Sequence, residues 1–299
     1  MTAWLITPWT HAFMQHAFLA IVLVGIICGV IGVFVILRGL AFLGDALAHA
    51  IFPGVVIAFI LGGNFLVGAL IAAVIISVII GGISQSGRIS NDTAIGIIFA
   101  GGFALGVALL STQQSYARDL NAFLFGSILS VQRGDLVLTA LVGALVLAVV
   151  FWFRRELTSI AFDRTFAQSS GINLWMLDQI FLIALAMAIV ISLQTVGNVL
   201  VLALLVTPAA TARLLTNRLF PMVILSALIG AASGILGLYV SYYRGVPSGA
   251  AVVLVATSIF LMVFLLAPRT GAITSRVVRR LHHPHPERDP FLQPVSPDR

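Results

Sequence analysis

Lysine is missing from the whole chain, so all fixed positive side-chain charge rests on 16 arginines. That bias is compositional, but it has one functional consequence. No G-x-x-x-x-G-K-[ST] phosphate loop can be completed, so the chain cannot hydrolyse ATP by that route. Cysteine is nearly missing as well. Cys28 alone, inside an apolar run, excludes a disulfide and a thiolate metal cluster. It is expected to be a small buried residue. Charge is scarce at 9% of residues, against about a quarter in soluble domains, which leaves no soluble domain of useful size. Neither H-E-x-x-H nor G-x-S-x-G occurs, so an intramembrane enzyme of those two classes has no support.

What is present is apolar. Hydrophobic residues make up 60% of the 299, and mean hydropathy is +1.13. About 20 apolar residues cross a bilayer as a helix. Nine runs qualify or nearly do: 13–37, 46–62, 64–84, 93–111, 134–153, 175–195, 198–214, 222–243 and 248–268. A barrel would show short alternating segments instead, so the fold class is an all-α polytopic membrane protein. Residues 119–131 form a shorter apolar stretch, which leaves eight spans as an alternative to nine. Met1–Thr10 has no basic region and no small-residue cleavage site, so the apolar run after it is expected to be a retained span. No internal repeat is visible.

Arginine placement sets orientation. With nine spans and the N-terminus outside, Arg38, Arg88, Arg154, Arg155, Arg164, Arg213, Arg218 and the six tail arginines face the cytoplasm. Only Arg118, Arg133 and Arg244 face out. The C-terminus is then cytoplasmic. The net charge of +6 is concentrated near the end, at Arg269, Arg276, Arg279, Arg280 and Arg288. Such a tail suits an anionic leaflet, not nucleic acid. Residues 1–268 read as a single transmembrane domain. Residues 269–299 read as a basic, Pro/His-rich cytoplasmic tail without fixed structure, whose His282, His283 and His285 form a short tract able to bind metal.

The longest internal polar stretch is 154–173. Asp163 is placed to cap a short helix ending at Gly171. A short helix between two blocks of spans suits docking of a soluble partner, although an ordinary solvated loop would read the same way. Asp92 is expected to cap the helix beginning near Thr93.

Asp45 and His49 carry the most chemistry. A carboxylate and an imidazole four residues apart share one helix face. Ionisable groups within hydrocarbon are expensive and default to function. Together they offer one oxygen and one nitrogen ligand, which suits a divalent transition metal. A structural pair, with His49 donating to Asp45, is the competing reading. Two ligands bind weakly, as transit requires. Protons compete with metal for the imidazole, so binding is expected to weaken on acidification. Gly44 and Gly54 permit close backbone approach. Gln194, Asn198, Thr207 and Thr211 are polar groups in apolar helices, where packing bonds are their ordinary use. Pro208 removes a backbone donor, which marks a kink or a gate.

Four runs together resemble one family: RGLAFLGDALAHAIFP (38–53), FLFGSILSVQRGDL (123–136), AFDRTFAQSSGI (161–172) and VGNVLVLALLVTPAATARLL (196–215). Their order is similar to that of the permease subunits of bacterial ABC importers for manganese, zinc or iron. The resemblance implies a fold similar to the vitamin B12 and siderophore permeases, in the bacterial cytoplasmic (inner) membrane. It implies a homodimer, two cytoplasmic ABC ATPase subunits and an extracytoplasmic metal-binding protein. No permanent cofactor is implied, and manganese or zinc is the transported substrate. By position, Asp45 and His49 match the family's G-D-x-x-x-H ligands for the ion in transit. Ala161, Phe162, Asp163, Ala167 and Gly171 fall in the segment that couples to the ATPase. Gly44, Pro53, Asn198, Thr207 and Pro208 are pathway or gate candidates. A secondary carrier driven by a proton or cation gradient is the alternative. It needs several intramembrane carboxylates for a relay, and only Asp45 is so placed.

Overall fold

The computed structural model describes residues 7–85, 88–112 and 128–267. Among these residues the structure is helical, and nine helical segments are long and apolar enough to cross a membrane. In chain order the α-helices are α1 (Ala12–Leu37), α2 (Leu43–Ala50), α3 (Phe52–Ile60), α4 (Phe65–Gln85), α5 (Asn91–Ser111), α6 (Arg133–Trp152), α7 (Arg154–Phe162), α8 (Arg164–Ser169), α9 (Leu174–Val196), α10 (Asn198–Leu215), α11 (Leu219–Arg244) and α12 (Ser248–Leu266). The expected spans are all present, with one difference. The second is two helices, α2 and α3, meeting at Ile51. Pro53 explains the interruption, since it has no N–H to offer the carbonyl of His49 four residues back.

The ends are set by local chemistry. Ser90, not Asp92, caps α5: its hydroxyl accepts from the Thr93 amide at 3.2 Å. Asp92 lies in the first turn instead, where a carboxylate complements the helix dipole. Asp163 caps α8, accepting from the amides of Thr165 and Phe166 at 2.8 and 3.0 Å. Gly171 follows that helix at φ +80°, a conformation that favours glycine. A single glycine, Gly197 at φ 87°, separates α9 from α10.

Lipid removes the hydrophobic drive between helices, so association rests on close packing and hydrogen bonds. α1, the α2–α3 pair and α9 are the most enclosed spans of the bundle. α1 meets α11 where Gly25 faces Gly230: a Cβ on Gly25 would lie 2.8 Å from the Gly230 carbonyl carbon. One turn along, Ser226 donates to the Gly29 carbonyl at 2.7 Å. α6 and α9 share a buried hydroxyl pair, Thr139 and Thr195, at 3.0 Å. Cys28 is buried, as expected. Facing outward are large apolar side chains of α4 and α5, among them Ile71, Ile75, Ile97 and Leu105. That surface suits acyl chains and not water. The His282, His283 and His285 tract, the tail arginines, Arg118 and part of the 123–136 run lie outside the described residues.

Candidate functional site

α2 is eight residues long, and six of them are buried. The two that are not are Asp45 and His49, whose side chains retain 29% and 23% exposure. The spacing of four puts both on the one open face of an otherwise enclosed helix. Nε2 of His49 stands 3.5 Å from Oδ1 of Asp45. That is too long for a good hydrogen bond. Two ligands each about 2.1 Å from a shared ion, at a tetrahedral angle, stand ~3.4 Å apart. The pair is therefore spaced for joint coordination.

Asn198, the first residue of α10, completes this corner. Its amide Nδ2 lies 3.1 Å from His49 Nε2. With the amide donating, Nε2 carries a lone pair, which is the form that ligates metal. Turning the amide about its last bond would present Oδ1 in the same place. The imidazole ring is also clasped edge-on by Phe99 and Phe103 of α5, at centroid distances of 5.6 and 5.4 Å. These two rings fix its orientation without adding a polar group. Among the described residues no cluster of three or more His, Cys, Asp or Glu side chains occurs. Among the described residues this corner thus brings together two or three groups with light-atom donors: Asp45, His49 and Asn198.

The other pathway candidates are placed differently. Gly44 is buried, and a Cβ there would meet the side-chain end of Leu205 at 2.6 Å. Pro53 is buried at the start of α3, just past His49. Thr207 and Pro208 do not join the Asp45 corner. They lie nine and ten residues along α10 from Asn198, or ~14 Å at 1.5 Å per residue. Pro208 sits inside a continuous helix, so the chain interruption nearby is at Gly197. The Thr207 carbonyl accepts from Thr211 at 2.7 Å, the local bond expected of a threonine in an apolar helix.

The polar segment folds as two short helices, α7 and α8. Ala167 is fully buried, against Ile160 and Leu177, and this anchors α8 to the bundle. Phe162 at the end of α7 and Phe166 on α8 point away, at 70% and 62% exposure. These two exposed aromatic rings lie on either side of the Asp163 cap. Phe166 was not singled out in the sequence, though its spacing of four from Phe162 was the available signal. Asp178 was also missed. It accepts from Arg38 Nη1 at 3.0 Å and from Arg164 Nη2 at 2.7 Å. Burial lowers the Arg38 pKa, and the Asp178 charge opposes that shift.

The family model described as the ABC 3 transport family matches residues 10–267. The manganese transport system membrane protein MntC of Halalkalibacterium halodurans is 46% identical over 265 residues, which is 89% of this chain and 91% of that protein. The manganese import system permease protein ScaB of Streptococcus gordonii is 40% identical over 265 residues, 89% of this chain and 95% of that one. Among solved structures, PsaBC from Streptococcus pneumoniae in complex with Fab superposes with a TM-score of 0.80 at 37% identity, covering 94% of this chain and 100% of that chain. A metal-chelate type ABC transporter in an inward-facing conformation shares the fold at a TM-score of 0.66 and 16% identity, over 83% of this chain and 84% of the other. A match across nearly all of the nine spans, with relatives of this identity, shows that the chain belongs to the ABC 3 transport family.

Proposed function

We propose that this chain is the membrane-spanning subunit of an ATP-driven importer whose substrate is a divalent transition metal, with manganese the first choice and zinc the second. The observation that carries the reading is the open face of α2. Within a helix otherwise buried, only Asp45 and His49 remain accessible, 3.5 Å apart. An ion passing that face exchanges part of its water for one carboxylate oxygen and one imidazole nitrogen. Asn198 adds a third group within reach. A site of so few ligands releases its ion readily, as conduction requires. The names of the relatives favour manganese. Ligand chemistry alone would not, because mixed oxygen and nitrogen sites favour zinc.

In this reading the subunit pairs with a second copy across a two-fold axis, which brings two Asp45–His49 faces toward one pathway. An extracytoplasmic binding protein delivers the metal. Two cytoplasmic ATPase subunits take up Phe162, Asp163 and the rest of the 161–171 segment, and the exposed rings of Phe162 and Phe166 are what they would grip. ATP hydrolysis belongs to those subunits. The arginine-rich ends and the C-terminus face the cytoplasm of a bacterial inner membrane. Gly44, Pro53, Thr207 and Pro208 act as pathway or gate elements. Pro53 does so through the interruption at Ile51 beside His49.

Reconstitution tests this against a gradient-driven carrier. In proteoliposomes holding the permease and its ATPase, with the binding protein outside, manganese uptake is expected only with ATP inside. Uptake by the permease alone under a proton gradient would overturn the assignment.

A further inference from the structure

We infer that Asp178 is a positioning residue that links the coupling helix α8 to the base of the metal-carrying helix α2, so that motion of one is felt by the other. The inference rests on the importer reading above and deepens it. Asp178, on the first turns of α9, joins the neighbouring helix α8 to the end of α1, 140 residues away in sequence. Its Oδ1 accepts from Nη1 of Arg38, the residue that ends α1. Its Oδ2 accepts from Nη2 of Arg164, the first residue of α8. Arg38 leads through Gly39, at φ +70°, directly into the turn before α2 and Asp45.

The two halves of the bridge differ in environment. The Arg38 side chain is 6% exposed, and its guanidinium lies 4.5 Å over the Phe181 ring. Its Nε and Nη2 have no hydrogen-bond partner among the described residues. Asp178 is therefore its main anchor. The Arg164 side chain is 54% exposed, so its pair with the same carboxylate is screened and easily broken. One half is persistent and the other labile. A cavity of about 490 Å³ opens beside the bridge, between α8 and the ends of α4 and α9, and all three charged residues line it. The cavity leaves α8 room to shift. When α8 moves, Arg164 either pulls on Asp178 or lets it go, and the Arg38 end of the α1–α2 turn responds.

The test uses the complete transporter in proteoliposomes and reads metal ions moved per ATP hydrolysed. Arg164 is surface-exposed, so its variants are expected to fold, and copurification with the ATPase checks that each one assembles. Arg164→Gln is expected to lower the ratio several-fold, and Arg164→Lys, which keeps the charge, is expected to stay within about twofold of wild type. Asp178→Asn should lower the ratio as Arg164→Gln does, and the double variant should be no worse than either. A wild-type ratio in Arg164→Gln overturns the inference. So does an equal fall in Arg164→Gln and Arg164→Lys, which would assign Arg164 to direct ATPase contact. If Asp178→Asn does not assemble, the two Arg164 variants still decide. Absence of ATP-driven metal transport by the wild type would instead refute the importer reading itself.

Discussion

At the scale of single residues, the Asp45–His49–Asn198 corner is built so that each group has an incomplete partner. His49 Nε2 is within hydrogen-bond reach of one neutral amide and too far from the carboxylate to share a proton well. An ion entering between Asp45 and His49 would displace a weak contact and not a strong one. Asn198 then has a graded role. Asn198→Ala is expected to weaken metal transport by a few-fold, while Asn198→Asp, which adds an oxygen of full charge, is expected to slow release. Initial uptake rates across a range of metal concentrations distinguish the two, as a raised half-saturation value in the first and a lowered maximal rate in the second. Asp45 and His49 were legible in the sequence because their spacing is local. The position of Asn198 beside them was not, because 149 residues separate it from His49. Phe99 and Phe103 were invisible for the same reason. Asp178 was overlooked because a carboxylate near the start of a span reads as an ordinary solvated end.

At the scale of elements, glycine contacts decide which helices may approach. A Cβ on Gly32 would collide with the Leu205 carbonyl oxygen, a backbone atom that cannot swing aside. Gly82 of α4 has nothing within 4 Å of the same position. Gly32→Ala is therefore expected to destabilise the α1–α10 packing by roughly 1–3 kcal/mol. Gly82→Ala should be neutral or slightly stabilising. Thermal unfolding of the two variants in one detergent checks the contrast. The coupling segment allows a second test. Asp163→Ala removes both cap bonds of α8, a loss of about 1 kcal/mol. Amide exchange over 164–169 should quicken while the core of α9 stays protected. Hydropathy placed the nine spans to within a few residues, since the run lengths alone nearly determine them. It did not show the split at Ile51. Pro53 announces that a donor is missing, but where the helix yields depends on packing against α4 and α5.

At the scale of the whole molecule, the bundle has two unlike ends, with the Asp45–His49 face on a helix near one of them. The end holding Arg38, Arg164 and Arg213 is tied together by polar bonds. Arg213, for example, donates to the Ile36 carbonyl at 3.3 Å, and Asp178 gathers two of the arginines. The opposite end is tied by aromatic packing, with Trp9 donating to the Tyr239 hydroxyl at 2.7 Å and stacking on Phe18. Polar ties at one end and aromatic ties at the other fit a machine driven from one side. In the proposed importer the polar end would take force from α8, and Asp45 lies in the first turn of α2, the next helix after Arg38. Composition foretold the asymmetry through the arginine distribution, but not the carboxylate that organises it.

The measurement that bears most directly on this account is manganese uptake in cells that carry the permease with its ATPase and binding protein. Wild type would be compared with Asp45→Ala and His49→Ala, with zinc uptake followed in parallel. The account predicts at least tenfold loss of manganese uptake in both variants, at wild-type levels of expression and of assembly with the ATPase. Wild-type manganese uptake in both variants would contradict it, and would make the Asp45–His49 face a packing feature of α2.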